Sequence, residues 1–478
     1  MMMRRAALVF TLSTAALAAA LGETAIFHSD PAAAKTPGAS AAAATSQTFP
    51  DSAGQSTTIS TTGAVAVTHP FFANLGKNGR ACVTCHQPQS GWSITPQDVR
   101  ARFKSTNGLD PIFRTVDGSN SPNAPVTTPA QRMTAYSMLL NHGVIRIGLP
   151  VPAGAEFTLT AVDDPYHFAS ATQLSLFRRP LPATNLKFAS TIMWDGRQTG
   201  NGVSVNVDLH NQAVDAVIQH EQGAAPNSTA VNQIVAFESG LYSAQSGDNI
   251  AGLLDSTGGA GGGPLLLSQQ AFFPGINDPQ GGNPPGSTFN PRVFTLYGQW
   301  AAPVPPPPGG PRPAPPTAAT LQRQSIARGE ALFNSRPLTI ANVPGFNDVV
   351  RRPIVNGTCS SCHSAPNAGS RSLPVFMDLG LTNPPRRTPD LPLYTFKNRT
   401  TGEVRQTTDP GRALITGKWS DMARFKVPTL RDLPARAPYF HNGSAASTAD
   451  VINFYNTRFR MNLTPQERAD LKSFLDSI

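Results

Sequence analysis

The sequence predicts a mainly α-helical protein with long irregular loops, and three observations support that prediction. Two capped amphipathic helix patterns lie near the C-terminal end, one beginning at Thr448 and the other at Thr464. No alternation of apolar and polar residues, which would indicate strands, is sustained along the chain. The 45 Pro and 40 Gly residues indicate irregular chain between short helices. A chain of 478 residues can form two or three hydrophobic cores.

The first 62 residues are not expected to join a core. Arg4 and Arg5 precede an apolar run and a group of small residues, so residues 1–21 have the layout of a secretory signal peptide. The apolar run is shorter than a membrane span, although an uncleaved N-terminal anchor is the alternative. Residues 22–62 are rich in Ala, Ser and Thr and contain few large apolar side chains. That composition predicts a disordered tether.

The four cysteines of the chain form two identical Cys-x-x-Cys-His motifs. Each motif supplies two thiols that can form thioether bonds to one haem, and a His that can ligate its iron. A redox dithiol or half a zinc site is the alternative for such a thiol pair, but the adjacent His in both copies favours haem. We therefore predict two covalently bound haem c groups. The residues are Cys82, Cys85 and His86 for one group, and Cys359, Cys362 and His363 for the other.

The haem motifs and the signal peptide agree on one compartment. Haem is attached to cysteine thiols outside the cytoplasm in bacteria, so we expect a periplasmic protein. No later segment approaches the length of a spanning helix, so no membrane span is expected after signal cleavage. Removing the two signal arginines from the formal charge of +9 and adding four haem propionates leaves about +3. Because this charge is small and dispersed, nucleic acid is not expected as a partner.

The chain divides into two predicted haem domains. Apolar residues at helical spacing precede both motifs, which predicts a helix leading into each one. The domains are cytochrome c-like and cover residues 63–302 and 318–478. Between them, residues 303–317 include a run of four prolines, which predicts a stiff connector or a surface loop.

Three further segments have a distinctive sequence and order. Met193–Arg197 is Met-Trp-Asp-Gly-Arg, Phe425–Arg431 is Phe-Lys-Val-Pro-Thr-Leu-Arg, and Ala437–Gly443 is Ala-Pro-Tyr-Phe-His-Asn-Gly. Together with the two haem motifs, and from about residue 70 to the end, this pattern closely resembles the bacterial di-haem cytochrome c peroxidase family.

The resemblance implies different roles for the two haems. The His86 haem would react with peroxide, and the His363 haem would receive electrons from a small donor protein such as a cytochrome c or a cupredoxin. Trp194 matches the family's inter-haem Trp, which would mediate electron transfer; packing in the core is its alternative role. Arg197 and His441 are expected to bind haem propionates or to fix the wall between the haems.

The distal ligand of the second haem is where the chain departs from the common pattern. Family members commonly have a Met fourteen residues after the His of the Pro-Tyr-Phe-His element, and here that position is Tyr455. In this respect the chain is similar to the MauG-like branch of the family, in which a Tyr stands there. A phenolate stabilises higher oxidation states than a thioether does. The alternative is that Tyr455 packs in its helix and Met461 or Met422 ligates the iron.

The distal side of the first haem is predicted to be open. After His86 the next His is His142, so no second His lies a short distance beyond the motif. That absence favours a five-coordinate iron, although His142 could still reach it.

Peroxide cleavage also needs a group that moves a proton. The family uses a Gln and a Glu after its Trp-Asp-Gly-Arg element. Gln212 matches the Gln, but the position of the Glu is Gln222, which directly follows His220 and Glu221. We therefore expect Gln212, His220 and Glu221 to be catalytic, with a solvated helix face as the alternative for the last two.

Calcium between the haems is frequent in the family, bound by main-chain carbonyls and an Asn side chain. Pro438 can supply a carbonyl, but Arg436 replaces the usual Thr and the Asn position falls near Arg178 or Arg179. Because two cations oppose a calcium ion, we do not expect calcium here.

The sequence therefore predicts a periplasmic di-haem oxidoreductase that reduces hydrogen peroxide. The alternatives are oxidation of a protein or organic substrate, as Tyr455 suggests, oxygen chemistry like that of the rubber-cleaving di-haem oxygenase, and a non-catalytic electron carrier. A carrier would have two six-coordinate low-spin irons and no reaction with peroxide.

Overall fold

The computed structural model describes most of the chain. The described residues are 26–28, 45–64, 66–200, 204–259, 262–301 and 314–478. The predicted signal peptide, the tether over residues 22–25 and 29–44, and residues 303–313 of the predicted linker lie outside them.

Ten α-helices occur in the described residues. They are α1 (Pro96–Thr106), α2 (Pro129–Ala135), α3 (Ser137–His142), α4 (Val205–Gln219), α5 (Ser228–Ser239), α6 (Pro264–Gln269), α7 (Ala318–Ser335), α8 (Ala413–Thr416), α9 (Thr448–Arg458) and α10 (Pro465–Leu475).

The same residues contain fourteen strands, and all of their pairings are antiparallel. They are β1 (Ile26–His28), β2 (Thr45–Pro50), β3 (Gly54–Ser60), β4 (Ile145–Leu149), β5 (Phe157–Asp163), β6 (Leu174–Arg178), β7 (Leu241–Asp248), β8 (Gly252–Leu253), β9 (Leu338–Ala341), β10 (Ile354–Gly357), β11 (Phe376–Met377), β12 (Leu393–Asn398), β13 (Val404–Thr407) and β14 (Phe425–Lys426). One sheet has the order β1-β2-β3-β7-β8 and another has the order β13-β12-β5. Three strand pairs, β4-β6, β9-β10 and β11-β14, complete the set.

The prediction of a mainly α fold is wrong. About 30% of the chain is helical and 17% is in strands, so the architecture is mixed. In the five-stranded sheet, β2, β3 and β7 are hidden in the sequence because small and polar residues make up most of them. In β3 and β7, for example, the Thr58 hydroxyl lies 2.5 Å from that of Ser243, and both side chains are buried. A buried strand face built from paired hydroxyls shows no apolar alternation.

Ordered chain begins earlier than the sequence suggests. Strands β2 and β3 lie within residues 22–62, the segment predicted to be a disordered tether. β3 pairs with β7 along residues that are nearly two hundred positions apart in the chain. Long-range pairing of this kind supplies the ordering that local composition does not indicate.

The C-terminal helices follow their capping signals. Thr464 caps α10 and forms a capping box with Glu467, as predicted. Helix α9 begins one residue earlier than predicted, because its N-cap is Ser447 rather than Thr448, and the Ser447 side chain accepts from the backbone N–H group of Asp450. Helix α7 leads into the second haem motif, as predicted. The helix predicted ahead of Cys82 is absent, and residues 66–81 form turns instead.

Aromatic clusters support both haem motifs. Phe71, Trp92 and Phe237 pack edge to face beside the first motif. Phe333 of α7 and Phe474 of α10 pack together beside the second, with ring centroids 5.8 Å apart. Each motif therefore rests on a rigid aromatic support. No helix of the described chain is long and apolar enough to cross a membrane.

Candidate functional site

Each Cys-x-x-Cys-His motif lies at the wall of a large cavity. The first cavity is lined by Cys82, Cys85 and His86, and the second by Cys359, Cys362 and His363.

A short helical turn aligns the residues of each motif. The turns cover Cys82–Thr84 and Cys359–Ser361. The backbone N–H group of His86 donates to the carbonyl of Cys82 at 3.0 Å, and that of His363 donates to the carbonyl of Cys359 at 3.1 Å. Residues three and four apart share one face of such a turn, so the thiols and the imidazole face the same cavity.

The two histidines are oriented in the same way. His86 donates its Nδ1–H to the carbonyl of Trp92 at 3.0 Å, and His363 donates its Nδ1–H to the carbonyl of Gly369 at 2.6 Å. A carbonyl only accepts, so Nδ1 carries the proton and Nε2 remains free to ligate a metal. Burial lowers the pKa of both imidazoles, that of His363 to about 4, which favours the neutral ligand form.

The cysteines fit thioether bonds better than redox chemistry. Burial raises the pKa of all four thiols, to about 12 for Cys359 and about 11 for Cys362. Reactive dithiols depend on lowered pKa values, which are not found at these positions. With a free Nε2 and a largely apolar cavity at each motif, the residues fit a covalently attached haem at both places.

One wall separates the two cavities, and Trp194 faces both of them. Its indole N–H donates to the carbonyl of Arg179 at 2.8 Å, and its own carbonyl accepts from the Lys426 backbone at 2.9 Å. Its ring lies edge to face with that of His441, with centroids 6.3 Å apart. Hydrogen bonds at both the side chain and the backbone of Trp194 therefore fix its indole between the cavities.

A tight turn places Trp194 in this wall. Gly196 has a φ of +69°, and a Cβ atom there would lie 2.3 Å from the ring of Phe376. Only glycine tolerates that combination, which explains the Gly of the Trp-Asp-Gly-Arg element. Asp195 is buried and ion-paired with Arg178 at 2.5 Å, which fixes the other side of the turn.

Arg197 and His441 lie on opposite sides of this wall. Arg197 lines the first cavity and forms an ion pair with Asp195 at 3.3 Å. His441 lines the second cavity and stacks on Phe425 with centroids 4.1 Å apart. Burial lowers the pKa of His441 to about 4, so this imidazole is neutral near pH 7.

The second cavity contains Tyr455 on the same lining as His363. Tyr455 stacks on Phe459, with ring centroids 6.0 Å apart, and burial strongly raises the pKa of its phenol. Met461 also lines this cavity. Met422 does not, because it packs in a separate cluster around Phe157, so the structure gives no support to Met422 as a ligand.

The three predicted proton-transfer residues line the first cavity, at α4 or just after it. His220 donates its Nδ1–H to Asp117 at 2.6 Å, and Asp117 is also paired with the buried Arg80. Burial alone would raise the pKa of Asp117, but Arg80 and His220 hold it below its usual value. Glu221 accepts from the backbone N–H group of Leu75 at 2.9 Å. Burial raises the pKa of Glu221 to about 7.

The structure does not bring His142 to the first cavity. Its Nε2 pairs with Asp390 at 2.8 Å, and about a third of its side chain is exposed. His142 is absent from the described residues that line either cavity.

Sequence reasoning missed three residues of these cavities. Glu238 lines the first cavity, and one of its carboxylate oxygens has no partner in the described part of the chain. Burial raises its pKa to about 8. Lys426 lines both cavities, and burial lowers its pKa to about 8. Met377 lines the second cavity beside Met461. The position of Lys426 in the Phe-Lys-Val-Pro element was a signal; Glu238 and Met377 had none.

Two arginines, Arg179 and Arg436, line the second cavity where the resemblance would place calcium-binding carbonyls. The guanidinium of Arg179 donates to the carbonyl of Arg436 at 2.9 Å. Among the described residues no group of three His, Cys, Asp or Glu side chains could hold a metal ion.

Comparison with known proteins gives partial matches. No family model matches the chain. Over 140 residues it is 29% identical to the cytochrome-c peroxidase IdrP1 of Denitromonas iodatirespirans, covering 25% of this chain and 36% of that protein. Over 94 residues it is 32% identical to the cytochrome c551 peroxidase of Nitrosomonas europaea, covering 20% of this chain and 22% of that protein.

A cytochrome c551 peroxidase of Pseudomonas aeruginosa is 25% identical over 128 residues, or 27% of this chain and 32% of that protein. The matched regions thus span about a third or less of these relatives. A solved structure of a MauG-like protein associated with microbial copper homeostasis covers 85% of this chain and 87% of that chain, with a TM-score of 0.35 and 13% identity. The curated matches confirm the resemblance drawn from the motifs: over about a quarter of its length, the chain is similar to bacterial cytochrome c peroxidases.

Proposed function

We propose that this protein reduces hydrogen peroxide to water at the first cavity, with electrons that enter through the second. The observation that supports this most is the wall of Trp194, which faces two cavities that each contain a haem-attachment motif. The matched peroxidases support the same reaction. Each turnover consumes one peroxide, two electrons and two protons and releases two waters.

Haem bound at the first motif would supply the iron at which peroxide is cleaved and oxidising equivalents are held. The protein's residues would fix the iron ligand and the bound peroxide, and would transfer the protons. His86 would ligate through Nε2 while the carbonyl of Trp92 holds its ring. An amide such as that of Gln212, which faces the cavity, can hydrogen-bond to the bound peroxide.

His220 is the group we assign to proton transfer. Its Nδ1–H is held by the ionised Asp117, which leaves Nε2 free to accept a proton from one peroxide oxygen and return it to the other. Glu221 is tied to the Leu75 backbone and is the second candidate. Both line the first cavity, and we place the reaction on that side.

Electrons would pass from the second cavity to the first through Trp194. Its indole faces both sites and is held by Arg179, so little rearrangement is needed during transfer. Lys426 and Arg197 would neutralise haem propionates, Lys426 from both cavities and Arg197 from the first. His441 would fix the wall rather than react.

Tyr455 and His363 would be the two protein ligands of the iron of a haem bound at the second motif. Both residues line the second cavity, and Tyr455 stands where the resemblance places the distal ligand. The electron donor would be a small periplasmic protein, a cytochrome c or a cupredoxin. The haem domains would cover residues 63–302 and 318–478.

A second candidate function is oxidation of a protein or organic substrate. The presence of Tyr455 in the second cavity favours it, because a phenolate ligand would stabilise oxidised iron on that side long enough to react with a slow substrate.

Turnover of hydrogen peroxide by the purified holoprotein, with a reduced small cytochrome c as donor, tests the proposal. We expect donor oxidation that depends on peroxide, and a loss of roughly 10²–10⁴-fold in kcat for His220→Gln. His210→Gln is the matched control, because His210 lies on α4, the helix that His220 directly follows, but does not line either cavity in the described chain. Donor oxidation that is absent with several donors, or equal in the two variants, would contradict the proposal or the role of His220, respectively.

A further inference from the structure

The guanidinium of Arg179 is bound by main-chain carbonyls from separate parts of the chain. It donates to Ile94 at 2.6 Å, to Gly143 at 3.1 Å and to His142 at 3.3 Å, all in the first half of the chain. It also donates to Arg436 at 2.9 Å, in the second half. The buried guanidinium thus forms hydrogen bonds to carbonyl oxygens from both halves of the chain.

The main-chain carbonyl oxygens around Arg179 form a site that suits a cation. No described carboxylate pairs with Arg179, whereas the neighbouring Arg178 is paired with both Asp195 and Asp409. Burial and the nearby Arg436 lower the pKa of Arg179 to about 9, which still leaves it charged at neutral pH. A buried charge without a counter-ion must be compensated by dipoles, and here carbonyl oxygens supply them.

The space around Arg179 is adapted to its guanidinium. A Cβ atom at Gly143 would lie 2.2 Å from Nη1 of Arg179. Gly143 also has a φ of +59°, in the region that favours glycine. This glycine therefore allows the close approach of the guanidinium to the carbonyls.

The backbone of Arg179 holds the wall between the cavities. Its carbonyl accepts from the indole N–H of Trp194 at 2.8 Å, and its N–H donates to the carbonyl of His441 at 2.6 Å. Arg179 itself lines both cavities. Displacing Arg179 would therefore shift the rings of Trp194 and His441.

We propose that Arg179 is a positioning residue whose guanidinium takes the place of a bound calcium ion and fixes Trp194 and His441 between the two cavities. The inference rests on haem attachment at both motifs but not on reaction with peroxide. A failed peroxide assay would therefore leave it standing.

The metal content of the holoprotein and its response to chelation give the first test. We expect less than about 0.1 calcium per chain after gel filtration, and no change in the near-infrared or EPR spectra on adding EGTA. About one calcium per chain, removed by EGTA with a change in these spectra, would overturn the proposal.

The second test replaces Arg179 by Ala and measures the spectra and reduction potentials of both haems. We expect altered spectra of both haems and a loss of roughly tenfold or more in the rate of internal electron transfer. Millimolar guanidinium ion should restore part of both, because it can occupy the emptied carbonyl cluster. Unaltered spectra and rate would overturn the proposal.

Arg132→Ala is the matched control. Arg132 is also buried and also donates to three carbonyls, those of Asn107, Val126 and Thr127, but it lines neither cavity in the described chain. We expect it to lose stability without altering haem spectra. If Arg179→Ala does not fold, Arg179→Lys provides the test. Partial retention of the wild-type spectra would support the proposal. Complete retention of those spectra with calcium bound would contradict it.

Discussion

Tyr455 would decide whether haems bound at the two motifs differ in their iron ligands. It lines the second cavity with His363, and Met461 and Met377 line the same cavity. The sequence pointed to Tyr455 by its distance from His441, and to Met461 as the alternative. The sequence gives no signal for Met377, because it lies far from the Pro-Tyr-Phe-His element in the chain and reaches the cavity through the pairing of β11 with β14.

Tyr455→Phe tests this ligand. Phenylalanine fills the same space but cannot ligate, so we expect the second haem to lose its low-spin ferric spectrum and its reduction potential to rise. EPR and a spectroscopic redox titration measure both. The control is Met461→Leu, which should leave the low-spin spectrum unchanged. A normal spectrum in Tyr455→Phe, lost instead in Met461→Leu, would assign the ligand to Met461.

We expect the buried carboxyl of Glu238 to make the free energy of unfolding depend on pH. Burial raises the pKa of its carboxyl from 4.5 to about 8, so the folded protein retains a proton there that the unfolded chain releases. Stability should therefore be complete below about pH 4.5 and fall as the pH rises towards 8, by an amount on the order of a few kcal/mol.

Glu238→Gln should remove that slope, because an amide does not titrate. Thermal unfolding followed by circular dichroism from pH 5 to 8 measures it. Glu467→Gln is the control, since Glu467 is more exposed and its pKa is lowered by hydrogen bonds from Thr464. The same loss of stability with pH in Glu238→Gln and in the wild type would show that Glu238 is not responsible.

Helices were easier to predict than strands, and for a local reason. The Thr464-x-x-Glu467 capping signal that begins α10 is complete within four residues, so the sequence shows it directly. The β3–β7 pairing depends on hydroxyl pairs such as Thr58–Ser243. Such pairs form only when distant segments meet, so no window of sequence contains the signal. The mainly α prediction failed for this reason.

Thr464→Ala tests the capping box of α10. The Thr464 side chain accepts from the Glu467 N–H at 3.2 Å, and the Glu467 carboxylate accepts from the Thr464 backbone N–H at 2.8 Å. Because α10 packs against α7, the helix that leads into the second haem motif, we expect the free energy of unfolding to fall by about 1 kcal/mol. Denaturant unfolding measures it, and Thr464→Ser should retain most of the stability. An unchanged midpoint for Thr464→Ala would mean that the box contributes nothing.

The two halves of the molecule are joined through a shared sheet and a shared wall. Strand β5 from the first predicted domain pairs with β12 from the second. Trp194, Lys426 and Arg179 line both cavities. Haem motifs, Trp194 and Tyr455 could be identified from sequence because the motifs are contiguous. The carbonyl cluster of Arg179 could not be identified, since its oxygens belong to the backbone and come from three separate segments of the chain.

Trp194→Phe tests the wall as an electron path. Phenylalanine is harder to oxidise than indole and cannot donate to the Arg179 carbonyl, so transfer between the haems should slow by at least about tenfold, equivalent to about 1.4 kcal/mol in the barrier. Rapid mixing of the half-reduced protein with peroxide measures this rate. Trp419→Phe is the control, because Trp419 lines neither cavity in the residues described. Equal rates in the two variants would exclude Trp194 from the path.

The reaction of the resting protein with peroxide separates an enzyme from an electron carrier. The purified ferric protein should show a high-spin EPR signal from one haem and a low-spin signal from the other. One equivalent of hydrogen peroxide should then change the Soret and near-infrared bands, and a reduced donor should restore them. Two low-spin signals, with bands that peroxide leaves unchanged in both the ferric and the half-reduced protein, would contradict the proposed peroxidase and identify a di-haem electron carrier.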